Sequence, residues 1–181
     1  KISARYPIVE SLNAVLWTLS AYFIGLNANA FIYDALFSAL IVMTFIDIDT
    51  KEIPNGIVVF IIILSIPLFF TAKDVVWWHR LVGAVVISVP LYVIALVTGG
   101  IGGGDIKLYF ALGLVLGLYP TLVSAFIAIV SAGLIGGVLL LTKKVRKGYE
   151  LPLGPFIALG AVVTVFAGTP IIDGIKNLFG I

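Results

Sequence analysis

The chain has no cysteine and a single histidine. That removes disulfides, thiolate metal sites and cysteine nucleophiles, and leaves His79 unable to form a histidine cluster. Charge is scarce too: Asp, Glu, Lys and Arg together make up 11% of 181 residues, against 61% hydrophobic residues. No ordinary soluble domain of this length has that balance, and the mean hydropathy is strongly positive, so the solvent for most of the chain is lipid. The long apolar runs lack the strict alternation of barrel strands. Lipid offers the backbone no hydrogen-bond partner, so such runs must be helices. The expected fold is all-α, a polytopic membrane helix bundle forming a single domain over 1–181, with about seven transmembrane helices.

Taken in order, the polar start from Lys1 to Glu10 places Arg5-Tyr6-Pro7 as an extended or turn segment at the headgroups. The predicted crossings are Ser11–Leu26, Ala30–Ile46, Gly56–Thr71, Leu81–Thr98, Ile106–Leu118, Thr121–Leu141 and Phe156–Ile172, with the tail from Asp173 along the interface. Asn13 and Ser20 imply that the first crossing packs against protein. Asp34, near the outer end of the second, is expected to be wetted. Pro54 denies a helix its amide donor and Asn55 is expected to cap the third helix. Trp77 and Trp78 read as interface anchors rather than a ligand cage. The fifth segment is short and is expected to tilt or to start below the surface. In the sixth, Ser131, Ala132, Gly133, Gly136 and Gly137 suit close helix contact.

The eleven basic residues set the orientation. With the amino end cytoplasmic, Lys1, Arg5, Lys51, Lys107, Lys143, Lys144, Arg146 and Lys147 fall inside, and Lys73, Arg80 and Lys176 outside. That is a positive-inside bias. Two crossings separate Asp47 from Asp105, so both emerge on the same, cytoplasmic face. A carboxylate at the end of a membrane helix is costly unless paired or wetted, which marks both as candidate functional residues.

Two carboxylates at close range cannot both ionise, so one pKa rises and the pair shares a proton. The ionised member can take a proton from water while the protonated one polarises a peptide carbonyl, as in aspartic proteases. Asp49 is the alternative to Asp47. It lies two residues on, about 200° round a helix, so both cannot face one partner; otherwise it is a wetted helix-end charge. Lys51 and Lys107 read as topology determinants. Glu10 and Glu150 could meet a basic peptide but read more simply as solvated. A proton- or cation-coupled transporter could use the same aspartates as ion ligands, but both lie near one surface and no inverted repeat stands out. A noncatalytic membrane assembly subunit with structural acids is the third possibility. The glycines before Asp105 lack the Lys-Ser/Thr signature of a P-loop, and nothing calls for nucleic acid or a metal.

Four stretches, in order, resemble the type IV prepilin peptidases, membrane peptidases with a Gly-x-Gly-Asp motif: Arg5-Tyr6-Pro7-Ile8-Val9-Glu10, Asp47 seven residues before Pro54, Gly102-Gly103-Gly104-Asp105-Ile106-Lys107-Leu108, and Pro152-Leu153-Gly154-Pro155. The resemblance implies an endopeptidase in the inner (plasma) membrane that removes the short basic leader of prepilin or pseudopilin substrates, just after a glycine, at the cytoplasmic face. Asp47 and Asp105 are carried over as its catalytic pair. Gly102, Gly103 and Gly104 are the expected substrate-binding backbone, and no cofactor is needed for proteolysis. Many members also methylate the new amino terminus with S-adenosylmethionine. That cofactor is expected only if the full-length protein methylates, because no cofactor pocket is legible here. Bacterial members usually carry an amino-terminal helix and two Cys-x-x-Cys pairs before the Arg-Tyr-Pro stretch; this chain starts at Lys1 and reads as a fragment. Leu153 stands where relatives often have Phe.

Overall fold

The computed structural model describes residues 5–72, 75–144 and 151–179, excluding a few side chains after Gly174. Lys1, Lys73, Asp74, Arg146, Lys147, Glu150 and the side chain of Lys176 lie outside that description. Seven helices follow one another among the described residues: α1 Arg5–Phe23, α2 Ala28–Thr50, α3 Asn55–Thr71, α4 Trp77–Thr98, α5 Gly103–Leu116, α6 Leu118–Leu141 and α7 Gly154–Phe179. By length and composition, α2, α4, α6 and the Gly154–Gly174 part of α7 can cross a membrane, and α3 is a shorter apolar helix.

The helix starts depart from the sequence expectations in specific ways. Arg5-Tyr6-Pro7 is the first turn of α1 rather than an extended lead-in, a place where proline's missing N–H costs nothing. Asn27 caps α2, its side chain accepting the Ala30 N–H at 3.0 Å. Asn55 does not cap α3. Pro54 occupies that position, and its carbonyl takes the N–H groups of Ile57 and Val58. Trp77 and Trp78 belong to the first turn of α4, both exposed. The tail beyond Ile172 continues α7 instead of turning away.

The short helix α5 is the centre of the bundle. Leu108, Ala111, Leu112 and Val115 are fully buried, and contacts with α3, α4, α6 and α7 surround it. Its 14 residues extend only about 21 Å at 1.5 Å per residue. A helix largely enclosed by protein, with Phe110 on its one open side, need not match the bilayer thickness itself. Leu36, Leu40 and Met43 of α2 and Ile61 and Leu68 of α3 belong to the same buried cluster.

Of the small residues expected to make close helix contact, Ala132 is packed in the core, and the closest backbone approaches occur elsewhere. A Cβ on Gly113 would fall 2.2 Å from the Gly83 carbonyl oxygen, and one on Gly160 would fall 2.3 Å from the Ser124 oxygen. These positions let α4 lie against α5 and α6 against α7, which in lipid is a main source of helix association. Gly133 and Gly137 meet nothing within 4 Å, and Gly136 only a Leu151 side chain. On α6 the packed stripe is Ala125, Ala128 and Ala132, spaced three and four apart, so the glycines beside it face elsewhere. The polar residues of α1 do mark protein contact. Ser38 donates to Asn13 Oδ1 at 2.7 Å, and Ser20 is fully buried.

Candidate active site

Helix α2 runs a turn past Ile46, so Asp47 and Asp49 both sit on regular helix and point in opposite directions. Asp47 is 4% exposed. Asp49 is exposed and paired with Arg5, whose NH2 nitrogen donates to Asp49 Oδ1 at 2.9 Å while NH1 reaches Oδ2. The Arg5 guanidinium also lies over the Phe45 ring. Asp49 is therefore engaged on the outer side of α2, holding the start of α1. Lys51 ends α2 in the left-handed conformation, its N–H donating to the Asp47 carbonyl at 2.8 Å.

Asp105 stands in the first turn of α5, ahead of the apolar part that starts at Ile106. A carboxylate there is favoured by the helix dipole. Three consecutive glycines serve three different purposes. A Cβ on Gly102 would lie 3.2 Å from Asp105 Oδ2, one on Gly104 would lie 2.9 Å from Ile53 Cβ, and one on Gly103 would meet nothing within 4 Å. Close backbone packing thus happens at Gly104, against the α2–α3 loop, while Gly103 faces open space.

Asp47 and Asp105 line one polar cavity of about 300 Å³ at the ends of α2 and α5, floored by Gly102–Gly104 and flanked by Lys51, Glu52 and Lys107. Lys107 Nζ donates to Asn55 Oδ1 at 3.1 Å, fixing the start of α3 to α5. Behind Asp105 is a separate apolar recess of about 70 Å³, lined by Leu91, Tyr109 and Phe156 among others. Asp105 is the boundary between the two. Burial, and then the charge of Asp47, push its pKa up to about 6, against the pull of a hydrogen bond from the Gly102 backbone.

Asp47 has a partner that sequence reasoning did not assign. The backbone N–H of Gly154, at the start of α7, donates to Asp47 Oδ2 at 2.8 Å. The motif Pro152-Leu153-Gly154-Pro155 was visible, but its role was not, because the contact spans 107 residues. Tyr109, one turn beyond Asp105, was likewise missed; its spacing of four was the available signal.

Two charged residues are placed differently from expectation. Asp34 is 6% exposed, not wetted, because α1 covers that face of α2 with Ser20 alongside. Arg80, expected as an outer surface charge, is fully buried and donates from Nη1 to the carbonyls of Leu114 (3.2 Å) and Val115 at the end of α5.

Residues 35–137 match the model of the type IV leader peptidase family. The chain is 33% identical over 175 residues to a prepilin leader peptidase/N-methyltransferase of Bacillus subtilis (strain 168), covering 96% of this chain and 70% of that protein. The chain belongs to the type IV leader peptidase family. Another family member of the same description, from Burkholderia pseudomallei (strain 1026b), is 31% identical over 93% of this chain and 57% of its own length. One from Xanthomonas campestris is 29% identical over 99% of this chain and 65% of its own. The chain thus spans less than two thirds of these last two relatives. No solved structure matches it.

The relatives' second name implies S-adenosylmethionine. The cavity at the aspartates places two acids beside glycines and lysines and has no aromatic side chain in its lining to stack on an adenine ring. Among the described residues, that donor set does not fit the cofactor.

Proposed function

We propose that this protein is an aspartic endopeptidase that removes the leader of type IV prepilin-like substrates at the cytoplasmic face of the plasma membrane. The observation that carries this reading is the convergence of Asp47 and Asp105 on one polar cavity, close enough for the charge of one to act on the other. The family membership and the relatives' printed names supply the substrate class.

The chemistry follows from a pair that holds one proton. The ionised aspartate takes a proton from water as the water oxygen adds to the scissile carbonyl carbon. The carbonyl π electrons move to its oxygen, which receives the proton of the neutral aspartate. The tetrahedral adduct then collapses: the C–N bond breaks, the nitrogen takes the proton gained from water, and the adduct's hydroxyl proton returns to the second aspartate. One water is consumed, and the pair ends as it began. Within the Gly102–Gly104 floor, Gly103 provides the open backbone against which an extended peptide can lie, since a peptidase must engage backbone that an intact helix keeps hydrogen-bonded.

The test is purified protein in lipid with a prepilin, cleavage being followed on a gel. Release of the leader is expected, and an intact substrate at all enzyme concentrations would sink the reading. For the face, single cysteines at Lys51 and Lys144 should react with an impermeant thiol reagent from the cytoplasmic side and one at Trp77 only from outside. Labelling of 51 and 77 from one side would overturn the orientation.

A further inference from the structure

We propose that the backbone N–H of Gly154 makes the two aspartates unequal, holding Asp47 as the ionised, water-activating member and leaving the shared proton on Asp105. This rests on the proteolytic reading for the meaning of the roles, but the asymmetry itself is a property of the resting site.

The first turn of α7 has few donors to offer. Pro155 has no N–H, and those of Phe156 and Ile157 both go to the Leu153 carbonyl at 3.0 Å. Gly154 keeps the one N–H of that turn left over by the helix, and it is spent on Asp47 Oδ2. A hydrogen bond from a backbone N–H at the positive end of a helix favours the charged form of a carboxylate. The approach needs glycine. A Cβ at 154 would fall 2.7 Å from Asp47 Oδ2 and 2.8 Å from Met43 Sδ, so any larger residue drives α7 and Asp47 apart.

Asp105 has a different setting. It too stands at a helix start with a backbone donor from its own N-terminal turn, but its far side borders the apolar recess, and burial outweighs that donor. Other charged groups border the same cavity. On α2, Lys51 lines the cavity while Asp49 turns away to Arg5 of α1. The α2–α3 loop brings Glu52, which is of the wrong sign. On α5, Lys107 reaches to Asn55 of α3. Between Gly154 and Pro170, α7 has no titratable side chain. Gly154 is thus a positioning residue acting through Asp47.

The experiment replaces the Gly154 amide by an ester, with glycolic acid incorporated at position 154 by in vitro translation of the full chain into lipid nanodiscs. The N–H is lost, and the Leu153 carbonyl, now part of an ester, accepts more weakly from Phe156 and Ile157. The Asp47 carboxyl is titrated by infrared difference against Asp47→Asn in both the amide and the ester protein. We expect its titration, and the acid limb of kcat/KM for a prepilin, to move up by about one pH unit, with KM unchanged. An unmoved Asp47 titration, or a shift of Asp105 instead, overturns the proposal. Should the ester protein fail to insert, Gly154→Ala, whose Cβ displaces Asp47, is read in the same way. The titration needs no substrate, so an amide protein that cuts nothing, beside an ester protein that shows the Asp47 shift, would sink the proteolytic reading alone.

Discussion

The two ends of α5 treat buried charge in opposite ways. At the amino end, Asp105 borders a cavity it shares with a second acid, and burial pushes its pKa up to about 6. At the carboxyl end, Arg80 is sealed from solvent and tied to the last carbonyls of the helix, over the Phe69 ring. One end leaves room for a substrate and the other is filled. A cation on helix-terminal carbonyls satisfies acceptors that lipid cannot. At the two ends of α5, then, one costly charge is locked to backbone and the other is kept beside an open space, and only the second arrangement can do chemistry.

The largest expected effect breaks the open end. Asp47→Asn and Asp105→Asn keep size and most hydrogen bonding, so each should lower prepilin cleavage by roughly a thousandfold or more, with thermal stability in detergent near wild type. The same pair sets a bell-shaped pH profile. The active form needs the proton on Asp105, so rate should fall as pH climbs through about 6, and fall again in acid when the pair holds two protons. The raised value also bears on stability. A folded-state pKa above the unfolded one stabilises fully below the unfolded value and is lost as pH rises through the folded one. Wild type should therefore lose melting temperature relative to Asp105→Asn between about pH 4 and about pH 7. A flat difference would show that Asp105 is not held in a dry, acid-facing site.

Next comes the locked end. Arg80→Met should strip two buried carbonyls of their donor and lower stability by about 1–3 kcal/mol, while the turnover of the folded fraction stays within about twofold. A loss of turnover without a loss of stability would mean that the two ends are not independent. Smaller again is Gly103→Val, which adds bulk to the open cavity floor and should weaken cleavage several-fold with insertion unchanged; full activity would remove the argument that substrate backbone lies there. Smallest is Asp49→Asn, which removes only the exposed partner of Arg5 and should leave most activity. If Asp49→Asn is dead and Asp47→Asn still cuts, the pair must be redrawn around Asp49.

Much of this was legible from residues alone because lipid reads local properties. Apolar run length and the placement of Lys and Arg mark the helices, and the even number of crossings between Asp47 and Asp105 brings them to one side. Opposite faces for Asp47 and Asp49 follow from helix geometry, and the structure turns Asp47 inward and Asp49 toward Arg5. The burial of Arg80 and Asp34, the close packing at Gly83, Gly113 and Gly160, and the hand of Gly154 on Asp47 were decided only by tertiary structure. In a membrane chain both the surroundings and the interior are apolar, so hydrophobic periodicity, which in water points a helix face inward, says little about which face meets which neighbour. A glycine's meaning then depends on what its missing Cβ would strike, and a backbone N–H on what stands opposite. Both are set by helices far apart in sequence.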